Sequence, residues 1–120
     1  MQYKIFPPEK LQTTITLPPS KSISNRVLIL NALSCSTYPI ENLSDCEDTQ
    51  VLIDAFNSNS NVFDIKGAGT AMRFLTAFLA EMEGEWIIRG NDRMHERPIY
   101  PLVNTLIALG AEIEYLEKEG

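Results

Sequence analysis

The 120-residue sequence is 44% apolar, 22% charged and 8% aromatic, with 6 glycines and 7 prolines, a balance that excludes a disordered, collagenous or coiled-coil chain. A chain of this length buries roughly two-thirds of the surface it exposes when unfolded, enough for one core and too little for two. Its 16 acidic and 10 basic residues leave a net charge of -6, and the resulting field repels phosphodiester backbones and anionic lipid, so neither nucleic acid nor a membrane is predicted as a partner.

In chain order, Tyr3 to Phe6 and Thr13 to Leu17 alternate in polarity and predict two short strands, with Ile15 and Leu17 on one side and Thr14 and Thr16 on the other. Pro18-Pro19 stops the second. Ser20 then caps a helix to about Ser34, with Ile23, Val27, Leu30 and Leu33 at helical spacing. A strand is predicted around Tyr38 to Leu43. A second helix follows from about Asp45 to Asn57, with Asp45, Glu47 and Asp48 at its dipole-favoured start and Leu52, Ala55 and Phe56 on its apolar face.

The polar run Asn57 to Asn61 reads as a turn, Val62 to Ile65 as a short strand, and Gly67-Ala68-Gly69-Thr70 as the opening of a third helix. From Ala71 to Ala80 only Arg73 and Thr76 are polar, so this helix is predicted to run through the centre of the fold. Glu85 to Arg89 is a further strand and Gly90-Asn91-Asp92 a turn. Pro98 to Gly110 is a fourth helix with Ile99, Leu102, Val103, Leu106 and Leu109 on one face, and Glu112 to Leu116 is a last strand. Strands alternating with helices predict an α/β or α+β fold.

No run approaches the roughly 18 uninterrupted apolar residues of a membrane helix, and Met1-Gln2-Tyr3-Lys4 has no apolar leader core. A cytosolic protein is predicted. Cys35 and Cys46 lie far from His95, the one histidine, which suits reduced structural thiols rather than a metal box or a disulfide framework.

The cations are placed unevenly: Lys21 and Arg26 fall in the first helix, Arg73 in the third, and Arg93 and Arg97 at the start of the fourth. A lysine on a first turn opposes the helix dipole by some tenths of a kcal/mol, and like charges at helical i to i+4 repel by about 0.2 to 0.5 kcal/mol. An anionic ligand would compensate, because helix starts also present free amide donors. Ser22 and Arg26 share one helix face, so a hydroxyl and a guanidinium can hold one phosphate, with Lys21 as a second, mobile charge. The same residues equally suit a solvated, capped helix. Gly67 and Gly69 allow close backbone approach of a ligand, or simply tight helix packing. Arg73, on a nearly all-apolar helix, calls for an anion or an internal carboxylate. Glu96 is placed to neutralise Arg93 or Arg97, and His95 reads as an exposed helix-start residue before a general base.

Three segments in this order, LPPSKSISNRVLILNAL, GAGTAMRFL and GNDRMHERPIYPLVNTLIALGAEIEYL, resemble the signatures of the EPSP synthase family (3-phosphoshikimate 1-carboxyvinyltransferase), from about Leu17 to Leu116. The related UDP-N-acetylglucosamine enolpyruvyl transferases have a Lys-Asn pair where this chain reads Lys21-Ser22, so the resemblance is to the shikimate branch; that transferase and a stand-alone anion-binding module are the alternatives. The resemblance implies transfer of the carboxyvinyl group of phosphoenolpyruvate to the 5-hydroxyl of shikimate 3-phosphate with release of phosphate, without metal or organic cofactor. It implies that Lys21 contacts both substrates and serves catalysis, that Ser22 and Arg26 hold the shikimate phosphate, and that Gly69 gives phosphoenolpyruvate a close backbone approach under Arg97. Thr70, Arg73 and Arg93 take supporting positions.

Two departures stand out. The second signature usually reads Gly-Asn-Ala-Gly-Thr, and Lys66-Gly67-Ala68-Gly69-Thr70 lacks that Asn; the stretch from Phe56 to Gly67 is also shorter than the family's, as if a hairpin were lost. Family members are several times longer and form two similar domains of βαβαββ units with the site between them. The resemblance therefore implies an amino-terminal fragment, inactive alone, from a monomeric enzyme. Residues 1–16 match strands that belong to the other domain, and residues 17–120 the first part of the amino-terminal domain. A nearly all-apolar third helix with missing neighbours further predicts self-association.

Overall fold

The computed structural model describes residues 1–117 and contains, in order, α1 (Lys21–Leu33), α2 (Glu47–Asn57), β1 (Val62–Asp64), α3 (Gly69–Leu79), β2 (Ile87–Arg89) and α4 (Tyr100–Ala108). The fold is mixed α/β, as predicted. All four predicted helices form, each within a few residues of its sequence signals. Ser20 caps α1 by accepting the amide of Ile23 at 3.4 Å. At the other end of the chain Gly110 takes φ +105°, a conformation open to glycine, and closes α4 with bonds from its own amide to Ile107 O (2.9 Å) and from Ala111 N to Leu106 O (3.0 Å). That paired pattern satisfies the last carbonyls of the helix.

The core is built around α3. Ala71, Met72, Leu75 and Leu79 are buried there against Leu28 of α1, Val51 and Leu52 of α2, Phe63 of β1, and Ile65 and Met94 of the connecting loops. Thr76 hides its hydroxyl by donating to Met72 O at 2.8 Å, and Phe78 meets Phe56 edge-on at 5.3 Å. β1 and β2 pair in parallel, with Phe63 opposite Ile88 and Asp64 opposite Arg89, and α3 is the crossover between them.

Four predicted strands do not form. Tyr3–Phe6 and Thr13–Leu17 lie in an extended, solvated segment: Tyr3, Ile5, Ile15 and Leu17 are all at least 72% exposed. An alternating pattern becomes a strand only beside a partner edge, and among the described residues nothing pairs with this one. The segment helps stretch the radius of gyration to 18.1 Å, against about 14 Å for a compact chain of this length. Tyr38–Leu43 is broken by Asn42, whose φ of +56° is incompatible with an extended ladder; Ile40 and Leu43 pack against the core from an irregular loop instead. Glu112–Leu116 likewise has no neighbouring strand among the described residues. The predicted apolar face of α4 is only partly covered, with Val103 buried at 2% and Leu109 exposed at 80%.

Candidate functional site

The inner face of α1 is locked to the segment that leads into α2. Ser24 Oγ accepts the amide of Ser44 at 2.9 Å, and Thr49 Oγ1 donates to Asn25 Oδ1 at 2.6 Å. Asn25 and Thr49 are both fully buried, where a hydrogen bond is strong and its loss costly. With Ser24, Asn25 and Leu28 turned inward, Lys21, Ser22 and Arg26 face solvent. The charge of Lys21 at a helix start is met from the next helix: its Nζ lies 3.7 Å from Asp48 Oδ1. Arg26 Nη1 donates to the main-chain carbonyl of Ser22 at 2.9 Å, and its guanidinium lies 5.7 Å from the centre of the Phe74 ring on α3. Ser22 and Arg26 are thus neighbours, as the sequence predicts, with the serine hydroxyl free of that bond.

The second set of groups gathers at the start of α3. Lys66, at φ +51°, reverses the chain after β1, and its carbonyl accepts the amide of Asn91 at 2.8 Å, which joins this turn to the loop after β2. Gly69, the first residue of α3, is buried beneath two guanidinium groups. A Cβ built there would overlap Arg97 Nη1 and stand 3.3 Å from Arg73 Nη1. Arg73 donates from Nη1 to Gly69 O at 2.9 Å and from Nη2 to Pro98 O at 2.6 Å. The anion or carboxylate that the sequence calls for beside Arg73 is replaced by two backbone carbonyls, because a guanidinium carries five donors and carbonyls suit them as well.

Arg97 comes to Gly69 from a loop, not a helix. Residues 92–97 form consecutive turns, with Met94 N bonded to Asn91 O (2.8 Å) and Arg97 N to Met94 O (3.1 Å), while α4 begins only at Tyr100. Met94, 4% exposed, anchors these turns in the core, and Gly90 admits it: a Cβ there would stand 2.7 Å from Met94 Cβ. Arg93 and Arg97 are therefore not neighbours on a helix, as their spacing had predicted. The predicted pairing of Glu96 with either arginine is not formed among the described residues; His95 is exposed in the turn and its Nδ1 lies 3.5 Å from Glu117 Oε2. Arg93 is exposed on the same turn.

The fold thus brings Gly69, Thr70, Arg73 and Arg97 to one place and Lys21, Ser22 and Arg26 to another, joined where Arg26 lies over Phe74. In the first, two half-buried cations, of which Arg73 is held by backbone carbonyls, stand at the positive end of a helix, an arrangement suited to an anion. The larger apolar cleft, lined by Leu28, Ile53 and Phe63 among others, contains none of these cations. Asp48, Asn25 and Thr49 were not singled out by the sequence as supports of the site: their contacts to α1 cross more than twenty residues, and only Asp48 had a visible signal, as a helix-start carboxylate. Both cysteines are free. Burial pushes the Cys46 thiol up, but hydrogen bonds with Ser44 and Thr49 outweigh it and hold the thiol below its ordinary range. No helix of the described residues is long and apolar enough to cross a membrane.

A model of the family described as EPSP synthase (3-phosphoshikimate 1-carboxyvinyltransferase) matches residues 5–58 and 50–120. The chain belongs to the EPSP synthase family. It is 53% identical over 120 residues to the 3-phosphoshikimate 1-carboxyvinyltransferases of two strains of Bacteroides fragilis, with 100% of this chain and 29% of each relative aligned. To that of Paraburkholderia phytofirmans it is 44% identical, with 89% of this chain and 30% of the relative aligned. The chain therefore spans under a third of the length of these curated EPSP synthases. The Paraburkholderia alignment runs over 130 residues, more than this chain has, so that relative carries residues absent here. The two matched pieces of the family model meet at residues 50–58, next to the stretch before Gly67 that is short in sequence.

Proposed function

We propose that this chain forms the amino-terminal part of an EPSP synthase, which transfers the carboxyvinyl group of phosphoenolpyruvate to the 5-hydroxyl of shikimate 3-phosphate and releases phosphate. The observation that carries this reading is the convergence of Arg73 and Arg97 on Gly69, where an added Cβ would collide with the Arg97 guanidinium. A glycine so placed lets an anion approach the backbone at the start of α3 while a guanidinium clamps it from above. Phosphoenolpyruvate takes this place, under Arg97. Ser22 and Arg26 hold the phosphate of shikimate 3-phosphate, with Thr70, Arg73 and Arg93 in support. Lys21, on a flexible stem at the end of the same helix face, reaches both.

Both substrates are polyanions, and their mutual repulsion must be cancelled before any bond forms. Fixed cations and amide donors do this without reorganising during the reaction. The Asp48 carboxylate holds the Lys21 ammonium in place until a more highly charged phosphate competes for it. The remaining ligands and the acid and base groups belong to the part of the enzyme that the relatives carry beyond this span, so the isolated chain binds without turnover. The same reading places the enzyme in the cytoplasm, both substrates being phosphorylated and unable to diffuse through lipid. The chain's short span leaves the complete enzyme's monomeric state to the same reading.

The test is an amide NMR titration of the chain with shikimate 3-phosphate and, separately, phosphoenolpyruvate. The expected outcome is saturable shifts at residues 20–26 for the first, abolished by Arg26→Ala, and at residues 67–73 for the second, abolished by Arg97→Ala. A well-dispersed spectrum that responds to neither ligand at millimolar concentration would overturn the half-site.

A further inference from the structure

Arg97 is not the only side chain that the loop after β2 brings to the start of α3. Asn91 is held through both of its main-chain groups: its amide donates to Lys66 O at 2.8 Å, and its carbonyl accepts the amide of Met94, also at 2.8 Å. The first bond fixes it to the turn that opens α3, the second to the turns that carry Arg97. Its side chain lies over Gly67. A Cβ built on that glycine would stand 3.3 Å from Asn91 Nδ2 and would meet nothing else within 4 Å beyond its chain neighbours, so the space above Gly67 is taken by a carboxamide from another part of the chain. Gly67 O in turn accepts the amide of Gly69 at 3.1 Å, while the amides of Thr70 and Ala71 have no main-chain acceptor among the described residues. The exposed carboxamide of Asn91 likewise has no hydrogen bond there. Unmet helix-start amides beside a side-chain N–H donor are groups of the kind that bind phosphate.

We propose that Asn91 is a further binding residue for phosphoenolpyruvate, its side-chain N–H groups donating to the anion held between Gly69 and Arg97. The assignment rests on the reading of the start of α3 as the phosphoenolpyruvate subsite. Gly67 and Gly69 are at most about 7 Å apart along the chain, a span that one short phosphorylated acid covers. The family signature usually carries Asn at the position of Gly67, and this chain supplies the same carboxamide from the loop after β2. The exchange needs the glycine, because a side chain at position 67 would press on the Asn91 amide. A carboxamide donates to an anion without adding charge beside the two guanidinium groups of Arg73 and Arg97.

The test is an NMR titration of the 120-residue chain with phosphoenolpyruvate, followed at the side-chain amide pair of Asn91. That pair is expected to shift and to saturate with the same dissociation constant as residues 67–73, and shikimate 3-phosphate should leave it unmoved. Asn91→Asp keeps the size and the turn preference of asparagine and removes both donors. It should raise the dissociation constant for phosphoenolpyruvate about tenfold or more and leave that for shikimate 3-phosphate unchanged. Asn91→Ala should weaken phosphoenolpyruvate in the same direction, and adding Gly67→Asn, which returns a carboxamide to the vacated space, should recover most of that loss. The assignment is overturned if residues 67–73 saturate while the Asn91 pair stays still, or if Asn91→Asp binds phosphoenolpyruvate as the parent does. Equal weakening of both ligands would also overturn it, since Asn91 would then serve the turn alone. A parent chain that responds to neither ligand is a separate failure, which overturns the half-site and Asn91 with it.

Discussion

Arg73 and Arg26 both lie four residues after a group whose carbonyl they hold, Gly69 and Ser22, at the same distance of 2.9 Å. The two arginines nevertheless do different work. Arg73 is half-buried, and its second bond reaches across to Pro98 O, so it ties α3 to the loop that carries Arg97. Arg26 is exposed and its other neighbour is the face of an aromatic ring, which leaves most of its donors to solvent. One cation is part of the fold and the other is held ready at its surface. Identical local spacing in sequence thus gives a structural guanidinium in one helix and an available one in the other, and burial decides which.

The largest effect that tests this contrast is Arg73→Ala. It removes two charge-assisted hydrogen bonds, one of them between distant segments, and should cost about 2 to 3 kcal/mol in denaturant unfolding. A loss of only a few tenths, the usual cost of an exposed substitution, would put Arg73 on a par with Arg26 and dissolve the distinction. Gly69→Ala comes next and is informative by a gain that fails to appear. In an open helix the change from glycine to alanine stabilises by about 0.5 to 1 kcal/mol. Here the new methyl meets the far end of the Arg97 side chain, which must swing aside, so that gain should be largely cancelled. The double variant with Arg97→Ala should recover it, since the side chain in the way is gone; additive effects in the cycle would show that Arg97 does not set the size allowed at Gly69.

The helices were legible because each carries local signals that need no distant partner: the Ser20 cap, the acidic start of α2, the closing Gly110, and the almost unbroken apolar run of α3. The strands outside β1 and β2 were not, because alternation reports a strand only when another edge is present to pair with it. Tyr3–Phe6 and Thr13–Leu17 keep the pattern and lack the edge, while Asn42 breaks a third by its own backbone conformation. Within the site, the neighbours Ser22 and Arg26 followed from helical spacing, and Gly69 under Arg97 followed only from the family resemblance. That Arg73 is satisfied by carbonyls, and that Arg97 sits in a turn rather than on a helix, depend on how Met94 packs against Gly90, a contact no spacing rule contains.

At the exposed end of the contrast the effects shift from stability to binding. Arg26→Ala removes a carbonyl bond that solvent can replace and a cation–π contact worth about 0.5 to 1 kcal/mol, so thermal unfolding should move little. Its consequence is expected in the titration with shikimate 3-phosphate, where saturation at residues 20–26 should disappear. An Arg26→Ala chain that unfolds as readily as Arg73→Ala would show that the α1 guanidinium is structural after all.

The smallest change should come from Lys21. Its ammonium lies 3.7 Å from Asp48, with side-chain exposures of 46% and 22%, and a pair so placed is worth about 0 to 1 kcal/mol. Lys21→Met keeps most of the aliphatic stem and deletes the charge, so it isolates the electrostatic part. Two opposing consequences follow: the attraction to Asp48 is lost, and the unfavourable meeting of a cation with the start of α1 is relieved. Added salt weakens both, because the charges are exposed to the ionic atmosphere. The difference in unfolding free energy between Lys21→Met and the parent chain should therefore be small at low salt and shrink further at high salt. A large, salt-independent loss would mean that the lysine stem packs rather than pairs, and Lys21 would then join Arg73 among the residues that hold the fold.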